Sequence, residues 1–484
     1  MTHCKPIELL LHANGSRDLV ARFDGGRISS DAGGLLLREA ERKTGIIRQL
    51  ADCFTDHRDP KRIEHSVYDL IAQRIYGLGL GHEDINDHDT LRHDPVLAVL
   101  VGKDDPTGAD RSRERDKGKP LAGKSTVNRL ELTPPGADEE SRYKKIVASC
   151  ASIENLFVKI FLDARTTGSQ TPPEQIVLDL DATDDRVHGK QAGRFFHGYY
   201  GDYCFLPLYI FCDEHLLCAA LRPSDIDACA GSTGHLERII KLIRAQWPEV
   251  KIIVRGDSGF CRDHIMNWCE NNGVDYIFGL AKNNRLIATI ADELRQAKAE
   301  FETTNKPARV FKDFEYQTRK SWSRKRRVVG KAEFISGKHN PRFVVTSLSM
   351  EECGTVDLYE KEYCARGEME NRIKEQQLYL FADRTSAETM RANQLRLWFS
   401  SIAYTLMAAV RRIGLAGTEM AHARCDTIRL QLLKIGAQIR VTCRKIWIAF
   451  SESYPRQNLF MQIMTHIQRR PDHPAYHPRY GSVT

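Results

Sequence analysis

The sequence predicts a mixed α/β core with a helical region on either side, and three observations carry that expectation. QIVLDLDAT (175–183), KIIVRGD (251–257) and DYIFGLAKN (275–283) are short runs rich in aliphatic residues, the pattern of buried strands. Between them lie GHLERIIKLIRAQW and CRDHIMNWCENNG, which repeat apolar residues at helical spacing. The two ends of the 484-residue chain read as helical from about 41 to 101 and from 386 onward.

Residues up to about 40 are expected to be irregular, with turn signals at ANGS, DGGR and DAGG. Next come REAERKTGIIRQLADCF, IEHSVYDLIAQRIYGLG and DINDHDTLRHDPVLAVLVG, read as short helices with breaks at Gly77, Gly79, Gly81 and Pro95. An exposed charged loop (104–120) precedes KSTVNRLELTPPG, a short capped helix that stops at Pro134 and Pro135. Short helices with a basic flank suit a DNA-contacting region over 1–150, and a plain helical scaffold fits them equally well. Within the core (170–300), YCFLPLYIFC and HLLCAALRPS follow the first strand across turns at Gly201–Asp202 and Asp213–Glu214, so the first three strands are antiparallel. A helix, IATIADELRQAKAEFE, then leads to ARVFKDFEYQ, RKRRVVGKAEF and PRFVVTSL. These three read as a small β sheet (301–350), inserted as a subdomain and not continuing the core. A closing helix (351–385) and a helical C-terminal region (386–484) complete the chain.

Composition narrows the class. At 42% hydrophobic and 28% charged residues the chain is an ordinary globular one, and its most apolar run, ASCASIENLFVKIFL, is interrupted by Glu154 and Lys159. The N-terminus lacks the charged start and apolar middle of a signal peptide, so a cytoplasmic location is expected. Thirteen scattered cysteines with no C-x-x-C pair argue for reduced thiols over a zinc module. Five histidines (His57, His65, His82, His88, His93) show no H-E-x-x-H spacing. The net charge of +7 is concentrated: RKSWSRKRR (319–327) carries six cations and no acid, and the last hundred residues are basic as well. Such clusters suit a polyanion.

Phosphodiester chemistry needs phosphate charge neutralised and an oxygen nucleophile activated, and two hard cations on a few carboxylates do both. In an open α/β sheet such groups belong at the carboxyl ends of strands. The first strand ends in Asp179 and Asp181, which share one face, with Asp184 and Asp185 expected in the turn beyond. Either Asp179 or Asp181 can be the ligand. The fourth strand runs into RGDSGF, placing Asp257 at a Gly-flanked turn, where a plain turn aspartate fits equally well. GDSG also occurs in serine proteases, but an all-β protease does not alternate strands with helices as here. Downstream, YCARGEMENRIKEQQ sets Tyr363, Arg366, Glu370 and Lys374 within about 80° of arc on one helix face, an arrangement a merely solvated face also produces.

In this combination the sequence resembles the DDE transposases of bacterial insertion sequences, which have an RNase H-like core, and within them the branch with a Tyr-x2-Arg-x3-Glu-x6-Lys motif. Tyr363, Arg366 and Glu370 match that spacing; Gln377 stands where lysine is expected, with Lys374 one turn earlier. D-A-T at 181–183 and G-D-S-G-F around Asp257 resemble the first and second aspartate contexts. The resemblance implies that Asp181, Asp257 and Glu370 hold two Mg2+ ions, with Mn2+ able to substitute. It implies that Tyr363 and Arg366 grip phosphate, and that Lys374 contacts DNA. The inserted sheet would touch the same duplex through Arg319, Lys320, Arg324, Lys325, Arg326 and Arg327, with Trp322 stacking on a flipped base. The implied activity is cut-and-paste transposition, and the implied partners are terminal inverted repeats and target DNA. A homodimer on paired ends is expected, with the C-terminal region as its contact. Two other classes fit the residues: an RNase H-like nuclease not linked to mobility, and a transposase-derived DNA-binding protein without activity.

Overall fold

The computed structural model describes residues 8–166 and 171–476. Helix α1 (Cys150–Thr166) precedes strand β1 (Gln175–Ala182), in which Ile176, Leu178 and Leu180 are buried on one face while Asp179 and Asp181 take the other. β1 organises the sheet. It pairs antiparallel with β2 (Leu208–Cys212), which pairs antiparallel with β3 (His215–Ala220). On its other side β1 runs parallel to β4 (Lys251–Gly256), and β4 runs parallel to β5 (Asp275–Leu280). Parallel neighbours need long crossovers. Helix α2 (Ser232–Gln246) leads into β4, and α3 (Asp263–Asn271) joins β4 to β5. α2 buries Leu236, Ile239, Ile240 and Ile243, and α3 buries Ile265, Met266 and Cys269, all into one cluster with Ile252, Val254, Tyr276 and Phe278.

After α4 (Ala291–Thr304) come β6 (Ala308–Tyr316), β7 (Arg326–Ile335), β8 (Lys338–His339) and β9 (Arg342–Thr346). The β-rich insertion is present where the sequence places it, but it does not form a sheet of its own. β9 pairs antiparallel with β5, from Ile277 opposite Thr346 to Leu280 opposite Phe343. The result is one nine-stranded sheet in the order β3-β2-β1-β4-β5-β9-β7-β6, with β8 on β7. The reason is physical: β5 would otherwise present an open edge of unpaired backbone groups. FVV in β9 is also apolar toward both faces, with Val344 and Val345 buried in different clusters. The second face of the sheet carries Ile253, Ile277, Val329 and Val344. It is covered by Leu358 and Tyr359 at the start of a helical segment that continues as α5 (Gly367–Lys374). Helix α6 (Met390–Val410) follows.

This sheet belongs to the unit Ser149–Ser401; a second unit combines Met1–Ala148 with Ile402–Thr484. The second unit draws on both ends of the chain. Strand Arg27–Ser29 pairs with Ala437–Val441, which pairs in turn with Ile446–Phe450. The stretch 437–450 therefore departs from the expected helix. QIRV and IWIAF are rich in β-branched and aromatic residues, and Thr442–Lys445 closes a turn between them. Leu9–Asn14 and Arg17–Ala21 form a hairpin in the stretch expected to be irregular. Helices occupy Leu35–Thr44, Ile46–Ala51, Val67–Leu80 and Pro95–Val101. Val67–Leu80 opens on a Ser66–Asp69 capping box and runs through Gly77 and Gly79 to a left-handed cap at Gly81. Gly77 and Gly79 are close-packing positions, not breaks: a Cβ at Gly79 would stand 3.1 Å from Leu37, and one at Gly77 3.4 Å from His88.

DAGG is buried too. Ala32 N–H donates to the Ile435 carbonyl (3.1 Å), Lys434 reaches Asp31 (2.6 Å), and a Cβ at Gly33 would overlap the Leu432 carbonyl. Because the obstacle is backbone, Gly33→Ala is expected to cost about 1–3 kcal/mol. A lowered denaturation midpoint of the full-length protein would show it, and an unchanged midpoint would contradict this packing.

Candidate active site

Parallel pairing of β1 and β4 sets Arg255 beside Asp179 and Gly256 beside Leu180. One step on, Asp181 and Asp257 leave the two strands side by side at the same edge, about 5 Å apart in backbone terms. Ala182 N–H donates to Asp181 Oδ1 (3.0 Å) and Gly259 N–H to Asp257 Oδ1 (2.8 Å), which fixes both carboxylates locally.

The third carboxylate comes from the helical segment packed on that face. Arg366 Nη2 donates to Glu370 Oε1 (2.6 Å), one helical turn away, and Arg366 Nη1 lies 3.9 Å from Asp181 Oδ2. The Arg366 cation thus stands between the two. Tyr363 fits because β5 carries Gly279: a Cβ there would lie 2.5 Å from Tyr363 Oη and 3.1 Å from the Ser258 amide nitrogen. Asp179 has a different task. Arg255 Nε and Nη2 grip its two oxygens at 2.5 and 2.8 Å, and Arg255 Nη1 donates to the Glu362 carbonyl. Of the two aspartates left open by the sequence, Asp179 is committed to Arg255, and Asp181 faces Arg366.

The electrostatics agree. Burial pushes the Asp181 carboxyl up to about 7; Arg366 opposes that shift, and the negative charges of Asp257 and Glu370 add to it. Burial also raises Asp179, against the pull of Arg255. Arg366 is itself held above its ordinary range, because the charges of Asp181 and Glu370 outweigh its own desolvation.

Among the described residues no three His, Cys, Asp or Glu side chains stand close enough to share one metal ion. The donor set nevertheless fits a hard divalent cation. Asp181, Asp257 and Glu370 offer only carboxylate oxygens, and they repel one another at a place already occupied by a cationic guanidinium.

Other expected site residues are placed less uniformly. Lys374 is exposed and makes no ion pair among the described residues. Gln377 donates to the Asp184 carbonyl (3.0 Å), tying the helix to the loop after β1. Trp322 is only 6% exposed, edge-on to Tyr316 and beneath Arg326, so its ring packs in the core and is not presented to a base. Arg326 is buried against Asp263 and Glu270 (both 2.8 Å), and Arg327 pairs with Asp313 (2.7 Å). Arg324 leans on Glu270 (3.2 Å), while Arg319, Lys320 and Lys325 are exposed. Asp185, expected in a turn, is buried in the short strand Asp185–Arg186.

Two features were missed in the sequence. Arg255 is one; an arginine inside KIIVRGD, opposite the acids of LDLD, was its signal. The other, in the unit formed by the chain ends, is a cleft of about 640 Å3 whose lining includes Arg58, Arg92, Arg111, Arg113, Arg115 and Arg129. Burial and the nearby Arg58 charge lower Arg129 below its ordinary range, and Arg92 Nε and Arg111 Nε are buried without a partner. Glu64 and Asp116 on the same lining pair with Arg111 and Arg92, but the cations of the cleft outnumber its acids, so it suits an anion.

Two outcomes test this geometry. A carboxyl raised to about 7 in the folded state keeps a proton that the unfolded chain has already lost, so stability falls as pH rises between about 4 and 7. Metal-free Asp181→Asn should therefore melt roughly 5 °C above wild type at pH 8, the gap closing by pH 4. Arg255→Met should cost about 3–5 kcal/mol by stranding Asp179, and adding Asp179→Leu should restore most of it in denaturant titrations.

A family described as transposase DDE domain group 1 matches residues 11–472. No curated protein matches the chain. Among solved structures, the piggyBac transposase synaptic complex with hairpin DNA, determined by cryo-EM, is similar at 12% identity and a TM-score of 0.38, covering 93% of this chain and 84% of that one. With the match spanning nearly its whole length, the chain belongs to the transposase DDE domain group 1 family.

Proposed function

We propose that the protein is a cut-and-paste transposase of an insertion sequence, which cleaves duplex DNA at terminal inverted repeats and joins the freed 3′ ends to target DNA. The observation that carries this reading is the placement of Asp181 and Asp257 where the parallel strands β1 and β4 end, with Arg366 between Asp181 and Glu370. Three antiparallel strands followed by two parallel ones support an RNase H-like core.

Asp181, Asp257 and Glu370 would hold two Mg2+ ions, with Mn2+ as a substitute. When bound, such ions offset phosphate charge and activate the attacking oxygen. Arg366 offers the reacting phosphate a planar fork of donors, and the Tyr363 hydroxyl beside Gly279 offers another. Exposed Lys374, Arg319, Lys320 and Lys325 suit the flanking phosphates, as does Arg324. The basic cleft lined by Arg58, Arg111 and Arg129 suits a stretch of duplex backbone. Cleavage at two ends calls for a homodimer, with 386–484 as its contact region.

The test is excision in cells of a marker placed between the gene's own flanking ends. Wild type is expected to release the marker. Asp257→Asn and Glu370→Gln are expected to bind the ends in a mobility-shift assay yet reduce excision by more than about 1000-fold, because shape is kept while charge is lost. A wild type that binds the ends and never cuts them with Mg2+ present would refute the catalytic assignment.

A further inference from the structure

Between β1 and β2 the chain makes a detour whose aromatic side chains the site above leaves unassigned. Asp185–Arg186, Phe195–His197 and Asp202–Phe205 form a three-stranded antiparallel sheet, and its hairpin turn reads HGYYGD. Register sets Phe196 opposite Tyr203, their rings edge to face at 5.7 Å. The Arg194 guanidinium lies 4.4 Å above the centre of the Tyr203 ring. At the tip, Tyr199 and Tyr200 meet edge to face at 5.0 Å. Tyr199 is 87% exposed, Phe196 59% and Tyr203 46%. A surface with no partner rarely groups bare aromatic rings in this way.

The position of the tip explains them. Tyr200 Oη donates to the Ala182 carbonyl (3.3 Å), the residue after Asp181. Burial raises the Tyr200 hydroxyl pKa, and the negative charges of Asp184, Asp181 and Asp257 raise it further, so the tip stands within the field of the carboxylates. The base of the hairpin is anchored: Gln191 donates to the Thr385 carbonyl (3.4 Å), and Ser224 Oγ donates to the Phe195 carbonyl (2.9 Å). From His188 to Gly201 the chain carries Lys190 and Arg194 and no acidic residue, and Asp202, which ends the turn, stands 3.8 Å from Arg186. Flat rings, two cations and proximity to the cleavage chemistry favour an anionic strand with exposed bases over an apolar protein surface.

We propose that this hairpin is a stacking platform for unpaired bases of the strand whose phosphodiester lies at Asp181, Asp257 and Glu370, with Tyr199 as the principal ring and Phe196 and Tyr203 beside it. The inference rests on the transposase reading and supplies the aromatic surface that Trp322 does not.

The experiment uses the full-length protein and a duplex of the gene's flanking DNA that ends in a short single-stranded overhang containing 2-aminopurine, whose fluorescence is quenched by stacking. Wild type should quench the probe. Tyr199→Leu, alone and with Phe196→Leu and Tyr203→Leu, should lose the quenching and slow strand cleavage by about 5- to 100-fold, while affinity for blunt duplex stays within about twofold. Tyr199→Phe should keep both. Quenching that survives in the triple variant overturns the platform. Quenching retained while light scattering shows loss of a dimer also overturns it and assigns the patch to a second copy of the chain. A wild type that binds neither duplex removes the transposase reading together with the platform, and that result is visible before any variant is compared.

Discussion

The Asp179–Arg255 pair is the contact on which the site depends. Two adjacent parallel strands supply one partner each, and Arg255 reaches beyond them to the Glu362 carbonyl, on the segment that carries Tyr363, Arg366 and Glu370. One guanidinium therefore sets the helix against the strand ends from which Asp181 and Asp257 project. Desolvating such a pair is costly, and well-packed apolar residues would often serve stability as well. What an apolar pair would not supply is direction: a planar fork fixes both the angle and the register of what it grips. Repelling carboxylates need that rigidity, because each gains by moving away from the others.

The sheet divides its labour by face. On one side aliphatic and aromatic residues from β1, β4 and β5 form the main core with α2 and α3. On the other, apolar contacts at Ile253, Ile277 and Leu358 give way within two residues to Arg255 and Gly279, and then to the acids at the edge. The basic run 319–327 shows the same economy. Arg326 and Arg327 are internal ties to α3 and β6, and only the cations before them face solvent.

Much of this was legible in the sequence. Period-two alternation in LDLD and the boundaries of KIIVRGD and DYIFGL located the strands and the acids at their ends. Other features were hidden because they depend on pairing partners distant in sequence. Nothing local shows that FVV at 343–345 will close the edge of β5, or that AQIRV will pair with Arg27–Ser29 and so become a strand. Trp322 looked available because its neighbours are charged, yet Arg326 turns inward to two acids and the indole follows it. Gly77 and Gly79 looked like punctuation, but an absent side chain also admits a close neighbour.

The unit built from both ends of the chain bears on the order of events during synthesis. Asp31 is met by Lys434, Arg42 and Lys43 by Asp472, and Arg27–Ser29 by Ala437–Val441. At about 5–20 residues per second, the ribosome needs roughly 10–50 s to pass from 149 to 401 before these partners even exist. The carboxylate-bearing unit is contiguous and has all its strands in hand by then, while the first 148 residues still wait for theirs. A chain ending before Ala437 would complete the carboxylate-bearing unit yet leave Arg27–Ser29 without its partner strand.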